Sequence, residues 1–250
     1  MNEIRIDRGA LKRDARAAML GRKPSTFSVT IVFLVFTLVL ELLSIKLQYP
    51  GLTIGEILRS SYTWDEDLYE RLISAAENRS ALARLLDFAV SIMDLMLTGG
   101  FTLFCLYVSR RAEAGAGTLF DLFSVFFRFL WLNIVIAVIV SLWSLLLVIP
   151  GVIAYYRCSM AIYIFFDDPD KGVLQCIRES KAMTMGFKGQ IFLLDLSFIG
   201  WALLSAIPFV AIYTLPYIGV TRANCYRFLS GQMAAETQPP QQSYGDPWNQ

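Results

Sequence analysis

Two long apolar stretches limit what this chain can fold into. From Phe129 to Phe166 the only charged residue is Arg157, and from Gln190 to Thr221 it is Asp195. A single helix over the first stretch would be about 57 Å long at about 1.5 Å per residue, nearly twice the thickness of a bilayer's hydrocarbon core. The chain must therefore turn inside this stretch, and the same holds for the second. The sequence predicts two helical hairpins in a membrane.

Each predicted hairpin turns at a proline, because proline cannot continue the interior of a regular helix. In the first stretch the turn is placed at Pro150-Gly151. In the second it is placed at Pro208, with Pro216 as the competing position. The predicted spans are 129–149 with 151–166, and 190–207 with 209–229.

The two hairpins share a sequence pattern. Trp143 precedes Pro150 as Trp201 precedes Pro208, and both segments read W-x-L-L-x-x-I-P-x-V. Matches between leucines are common in membrane helices, whereas a Trp and a Pro at the same separation are not. The pattern indicates duplicated hairpins of parallel orientation, unlike the inverted repeats of many secondary transporters.

Two further apolar stretches, 27–47 and 86–109, complete the predicted fold. This is an all-α integral membrane bundle of about six transmembrane helices over 27–231, with amphipathic helices on the cytoplasmic side. The low share of charged residues, 17%, agrees with it, since soluble domains contain about 25%. Residues 48–85 form a polar outer insert, and residues 232–250, rich in Gln and Pro, are predicted to be a disordered cytoplasmic tail.

The distribution of Lys and Arg predicts the orientation. With the N-terminus inside, the inner segments carry 16 of the 22 basic residues, the outer insert and its flanks carry five, and Arg157 lies within a span. Cytoplasmic loops are enriched in basic residues. We therefore expect a multi-pass protein of the cell membrane with both termini in the cytoplasm.

Two segments outside the spans have helical amphipathic patterns. The basic segment 1–26 begins a helix at Asp7, and it is predicted either to lie on an anionic membrane surface or to be a solvated positive leader. The segment 167–189 is predicted to be a cytoplasmic surface helix. The residues on one face are Leu11, Ala15, Ala18 and Met19 in the first segment, and Cys176, Ser180, Met183 and Phe187 in the second.

Three charges within the predicted spans fall at similar depths. At about 1.5 Å per residue, Glu41 and Arg157 lie roughly 9 Å inside the outer boundary and Asp94 about 12 Å. A charge in hydrocarbon costs about 2.5–3.5 kcal/mol on insertion scales. We therefore expect Arg157 to be neutralised by Asp94, Glu41 or both.

Polar residues also recur every three or four positions in the second span, at Asp87, Ser91, Asp94 and Thr98. This stripe is expected to point into the bundle, either as a link between helices or as the lining of a cavity or ion path. Nearer the cytoplasmic end of the fifth span, Asp195 is expected to pair with Lys188, Lys181 or Arg222 by snorkelling.

The sequence lacks the residues of common catalytic sites. It contains no histidine, and no P-loop, GxSxG or HExxH motif. Its four cysteines, Cys105, Cys158, Cys176 and Cys225, are widely spaced and are interpreted as small apolar side chains. The acids Asp167, Asp168 and Asp170 are better explained by helix capping than by a divalent cation. We expect no enzymatic activity, no cofactor, no metal site and no nucleic-acid partner.

The second half of the chain resembles a bacterial family known only as domain of unknown function nine-seven-five. The resemblance extends over residues 100–230, and its most specific part is the run from Phe192 to Trp201. The chain has Met183-Thr184-Met185 where the family often has consecutive methionines. The resemblance implies a six-span membrane architecture and no particular activity. Other matching residues are Leu142-Trp143, Ile149-Pro150-Gly151, Asp167-Asp168-Pro169, Ser180-Lys181 and Pro216-Tyr217.

These features favour a non-enzymatic membrane scaffold or regulator that acts through helix packing and partner contacts. The alternative is a small-solute or ion transporter or channel subunit, based on the polar stripe. A membrane enzyme that uses Asp167, Asp168 or Asp195 on lipid head groups is the third hypothesis. The expected partners are the lipid bilayer and either a second copy of the chain or another membrane protein.

Overall fold

The chain is helical throughout the part that the structure describes. The structure is a computed structural model, and it describes residues 5–21, 25–60, 65–205 and 207–237, which contain no strand. The helices are α1 (Arg8–Met19), α2 (Thr26–Gln48), α3 (Ile54–Ser60), α4 (Glu66–Glu77), α5 (Ala81–Ser109), a 3₁₀ helix (Ala116–Val125), α6 (Phe126–Leu146), α7 (Val148–Cys158), α8 (Ala161–Asp167), α9 (Val173–Met183), α10 (Lys188–Leu196), α11 (Ile199–Leu204) and α12 (Pro208–Thr237).

Among the residues that the structure describes, four helical segments are long and apolar enough to cross a membrane: Thr26–Gln48, Ala81–Ser109, Ala116–Leu146 and Val148–Asp167. They coincide with the first four predicted spans. The region of the fifth predicted span is two short helices, α10 and α11, separated at Ser197-Phe198. The helical class is therefore confirmed. In the described residues, four segments and not six are long and apolar enough to cross a membrane.

The helices α2 and α5 pack along each other through aromatic side chains. The rings of Phe33 and Phe101 stack with their centroids 4.3 Å apart. On another side of α5, the 3₁₀ helix comes close enough that a Cβ added at Gly100 would lie 2.1 Å from the carbonyl oxygen of Leu119. Glycine at this position is what permits the close approach.

The turn between α6 and α7 lies at Leu147, before the predicted position Pro150-Gly151. Leu147 is extended (φ −164°, ψ 147°), its N–H donates to the Trp143 carbonyl and its own carbonyl accepts from Gly151 N–H, both at 3.3 Å. Pro150 lies in the first turn of α7, where its missing N–H removes no helical hydrogen bond. The proline thus begins the second helix of the hairpin and does not form the turn itself.

The same arrangement recurs in the second hairpin. Here α11 ends at Leu204 and α12 begins at Pro208, whereas Pro216 lies inside α12. Of the two candidate prolines, Pro208 therefore follows the turn. In both copies of the sequence pattern the Trp lies in the first helix and the Pro lies in the first turn of the second.

The fourth candidate span is not continuous. It breaks at Ser159-Met160 between α7 and α8, and Ser180 of α9 satisfies backbone groups at the break. The Ser180 hydroxyl donates to the Arg157 carbonyl at 2.8 Å and accepts from Met160 N–H at 3.2 Å. The buried residues of α9 are Cys176, Ser180 and Met183, which is the face that the sequence predicted.

The predicted apolar face of α1 is buried against protein. Leu11, Ala15, Ala18 and Met19 are its buried residues, α1 packs mainly against α12, and Asn224 Nδ2 donates to the Leu11 carbonyl at 3.1 Å. The helix begins at Asp7, whose carboxylate accepts from Ala10 N–H at 3.0 Å.

The ends of the remaining predicted segments differ from the structure in small ways. The outer insert 48–85 contains α3, α4 and the start of α5. At the C-terminus, α12 continues to Thr237, so residues 232–237 of the predicted disordered tail are helical. The rest of that tail, 238–250, lies outside the described residues, as do residues 1–4 and 22–24 of the N-terminal segment.

Candidate functional site

An ion pair joins α10 to α12 in the second hairpin. Arg222 Nε donates to Asp195 Oδ1 at 3.0 Å and Arg222 Nη2 donates to Asp195 Oδ2 at 2.9 Å. The planar guanidinium matches a carboxylate in this two-point geometry. The side chain of Asp195 is 17% exposed and that of Arg222 41%. Three cations were predicted as possible partners of Asp195, and Arg222 is the one that pairs with it.

A third helix contributes to the same site. Tyr156 of α7 donates its hydroxyl hydrogen to Asp195 Oδ2 at 3.1 Å, and its ring packs edge to face against Phe192 of α10. The carboxylate therefore accepts hydrogen bonds from two different helices. No role was predicted for Tyr156, since a tyrosine in an apolar span does not indicate which residue it contacts.

A cavity of about 290 Å³ lies beside this ion pair. Its walls come from α5, α6, α7, α8, α10 and α12, and most of the lining residues are apolar. The polar residues in the lining include Thr102, Ser159, Tyr163, Asp195 and Arg222. The site is thus an apolar chamber between helices with polar groups at part of its wall.

Three of the four cysteines, Cys105, Cys158 and Cys225, line this cavity. All four cysteines are free and buried. In the described part of the chain no group of three or more metal-binding side chains is close enough to hold an ion. The arrangement fits the interpretation of these cysteines as small apolar side chains.

The structure brings together two of the three charges predicted to form a buried cluster. Glu41 and Asp94 line a groove of about 270 Å³ between α2 and α5. Arg157 lies on α7 at the helix break beside α9, and among the described residues it forms no ion pair with either acid. The predicted pairing is therefore wrong. Counting residues along each predicted span gave similar depths for the three charges, but it did not show which helices are neighbours.

The polar stripe of α5 is connected to α2 mainly through Asp87. Asp87 Oδ1 accepts from Ser44 Oγ at 2.6 Å, and Asp87 Oδ2 pairs with Arg79 Nη1 at 3.3 Å. Ser91 donates its hydroxyl to the Asp87 carbonyl, within its own helix, and Thr98 is exposed. The stripe therefore faces α2 from Asp87 to Asp94, where Ser91 and Asp94 line the groove.

Acidic residues at the end of α8 and just after it connect this helix to other segments of the chain. Asp167 accepts from Arg110 at 2.8 Å and from the Tyr226 hydroxyl at 2.6 Å. Asp170 pairs with Arg128, and Asp168 Oδ1 accepts from the backbone N–H of Asp170 at 3.2 Å. Each acid thus has a protein partner, so the cluster connects three segments of the chain. The cluster of acids was recognised from the sequence, but its cationic partners Arg110 and Arg128 were not predicted.

A related link joins α1, α5 and α12. Ser109 Oγ donates to Asn224 Oδ1 at 2.7 Å, and Arg227 Nη1 donates to the Ser109 carbonyl at 2.6 Å. Ser109 and Asn224 are buried. No contact between these polar residues was predicted from the sequence.

One protein family matches part of the second half of the chain. Residues 145–233 match the family described as protein of unknown function (DUF975), which confirms the resemblance inferred from the sequence. The matched residues include Tyr156, Asp195 and Arg222. No curated protein and no solved structure matches the chain.

Proposed function

We propose that this chain is an integral protein of the cell membrane with about six crossings, which acts as a non-enzymatic scaffold or regulator. The observation that carries the proposal is the pairing of Asp195 with Arg222 and Tyr156 across three helices. A carboxylate with both oxygens engaged is poorly available as a general base. Its role in this proposal is to link helices.

Other polar side chains support the same role. The Asp167 carboxylate links the ends of α5, α8 and α12, and Ser109 with Asn224 links α5 to α12. Among the described residues, Thr37 Oγ1 is the single fully buried side-chain polar atom without a partner. Polar groups in this bundle are thus used mainly for contacts between helices, as is common in membrane proteins.

The second hairpin supplies the fifth and sixth crossings in this proposal. At about 1.5 Å per residue, the segment from α10 through α11 extends roughly 25 Å and α12 about 45 Å. These lengths are compatible with a hydrocarbon core of about 30 Å. The matching pattern in the first hairpin, whose two helices are candidate crossings, supports the same path for the second.

The outward faces of the helices are available for partner contacts. In α6 only Phe129 and Leu132 are buried, and Trp131, Val138 and Leu142 are exposed on its surface. Lipid covers such a face in a lone copy, and a second copy or another membrane protein covers it in an assembly. Either partner fits a scaffold.

A reconstitution experiment tests the non-transporting role. The purified protein in proteoliposomes should give the same fluxes of protons, Na⁺ and K⁺ as empty liposomes. The double variant Asp195→Asn/Arg222→Gln serves as the matched protein control. A saturable flux that the wild type carries and the double variant lacks would overturn the scaffold in favour of a transporter.

Topology is tested separately. Alkaline phosphatase inserted after Ile207 in the full chain should be active outside the cell, whereas the same enzyme fused after Gln250 should be inactive in the cytoplasm. Activity at neither position would show that the second hairpin does not cross the membrane.

A further inference from the structure

The cavity beside the Asp195–Arg222 pair is large for the interior of a helical bundle. Protein interiors pack at the density of organic crystals and hold few voids larger than a water molecule. An engineered apolar cavity of about 150 Å³ takes up a molecule of the size of benzene. At about 290 Å³, this one has room for roughly a dozen carbon atoms, by comparison with that case.

A buried tyrosine in the cavity wall has an unused hydroxyl. Tyr163 is 5% exposed, its ring stacks on Tyr226 with centroids 5.2 Å apart, and it lines the cavity. Its hydroxyl makes no hydrogen bond to another residue that the structure describes, yet it is not among the fully enclosed unpaired atoms there, which are limited to Thr37 Oγ1. The hydroxyl therefore borders open space, and buried groups of this kind normally have a partner.

Arg222 also has donors to spare. A guanidinium has five N–H groups, and the two hydrogen bonds to Asp195 use two of them. Arg222 and Tyr163 both line the cavity. The cavity therefore presents hydrogen-bond donors from α8 and α12 next to apolar walls.

The charge of the site restricts the ligand. Asp195 and Arg222 neutralise each other, and the remaining polar groups of the lining are uncharged. A charged ligand would enter a low-dielectric site without a free counterion, which is costly. An uncharged head that offers an oxygen acceptor satisfies the donors without this cost.

We propose that this cavity binds one uncharged amphiphile, with its hydrocarbon chain against the apolar walls and its head oxygen at Tyr163 and Arg222. Long-chain alcohols and acylglycerols have this chemistry, and a bilayer supplies such molecules from the side. The proposal goes beyond the scaffold function, and it gives the protein a means of responding to membrane composition.

The test uses the full-length protein in lipid nanodiscs and a diazirine derivative of 1-dodecanol. Photolabelling should be saturable, and the labelled peptides should contain cavity residues such as Thr102 or Tyr163. Unlabelled 1-dodecanol should compete better than dodecane, which lacks a head, and better than laurate, which is charged. Labelling confined to the outer faces of α2 and α6, or equal competition by all three, would overturn the proposal.

Three variants locate the binding. Thr102→Phe places a ring in the cavity and should abolish saturable labelling, whereas Thr98→Phe, one turn earlier on the same helix at an exposed position, should leave it unchanged. Tyr163→Phe keeps the ring and should weaken competition by dodecanol about fivefold, the effect of one neutral hydrogen bond. If Tyr163→Phe and Thr102→Phe both label like the wild type, the cavity is not the site. The ion fluxes measured in proteoliposomes do not depend on whether the cavity binds an amphiphile, so the two proposals are tested separately.

Discussion

The hydroxyl of Tyr156 on α7 and the carboxylate of Asp195 on α10 are joined by a hydrogen bond of 3.1 Å. This contact links the first hairpin to the second, since α7 belongs to one and α10 to the other. The adjacent residue Tyr155 has no hydrogen bond through its hydroxyl in the described part of the chain, and it is 42% exposed. Two neighbouring tyrosines therefore provide a matched comparison.

We expect Tyr156→Phe to destabilise the protein by about 1.5–3 kcal/mol, because the aromatic ring is kept and one hydrogen bond to a charged group is lost. Tyr155→Phe should change stability by less than about 0.5 kcal/mol. Thermal unfolding of both variants in the same detergent measures the difference. Equal effects of the two substitutions would show that the link between the hairpins does not contribute to stability.

The sequence predicted much of the fold because hydrocarbon imposes strict rules. Runs without charge must be helices, and their length limits where the chain turns. For this reason the four candidate spans were found from the sequence. The buried faces of α1 and α9 were found from the spacing of their apolar residues. The turn at Leu147 was missed by a few residues, because proline occurs both where one helix stops and where the next begins.

The contacts of the site were harder to predict. Depth along a helix follows from residue number, but neighbouring helices depend on packing that a single sequence does not show. Arg222 was among the partners predicted for Asp195, since the two residues are close to the same end of one hairpin. Arg157 was assigned to Asp94 or Glu41 on depth alone, and it lies instead beside α9.

The close approach of the 3₁₀ helix to α5 gives a second prediction. In Gly100→Ala, the new Cβ would lie 2.1 Å from the Leu119 carbonyl oxygen and 2.8 Å from its Cα, so backbone must move. We expect a loss of about 1–3 kcal/mol. Gly200 on α11 has no atom within 4 Å of an added Cβ, and Gly200→Ala should be neutral or stabilising by up to about 1 kcal/mol. Thermal unfolding compares the two, and a similar loss in both would contradict the packing.

The third prediction concerns pH and the start of α3. Glu56 accepts from the backbone N–H and the hydroxyl of Thr53, each at 2.8 Å, and from Arg71 at 3.1 Å. The hydrogen bonds from Thr53, with a smaller contribution from Arg71, lower the pKa of Glu56 to about 2. Because the folded pKa lies below the ordinary value of 4.5, the stabilisation is complete above about pH 4.5 and is lost as pH falls towards 2.

Hydrogen exchange measures this effect directly. After correction for intrinsic rates, the amides of α3 should lose protection as pH falls from about 4.5 towards 2, and Glu56→Gln should remove most of that pH dependence. Glu70→Gln on the exposed side of α4 serves as the control and should retain it. Unchanged protection of α3 in the wild type over this range would show that the Glu56 contacts do not hold the helix start.

The last prediction concerns one edge of α1. Arg8, Lys12 and Arg16 follow each other at intervals of four residues, so they lie along one side of the helix. Lys12 Nζ is 4.2 Å from the ring centre of Phe198, and the Arg16 guanidinium is 5.6 Å from that of Tyr217. Partial burial, together with the positive charges of Arg8 and Arg16, lowers the pKa of Lys12. An anion near this edge would relieve that repulsion.

We therefore expect the edge of α1 to bind anionic lipid head groups, while its apolar face stays packed on α12. Each basic residue near such a surface contributes about 1 kcal/mol, so Arg8→Gln, Lys12→Gln and Arg16→Gln should each reduce the thermal stabilisation by phosphatidylglycerol, and added salt should reduce it further. Arg13→Gln is the control, since Arg13 lies on another side of α1 and interacts with Asp7. If Arg13→Gln has the same effect as the other three, the binding reflects net charge and not this edge.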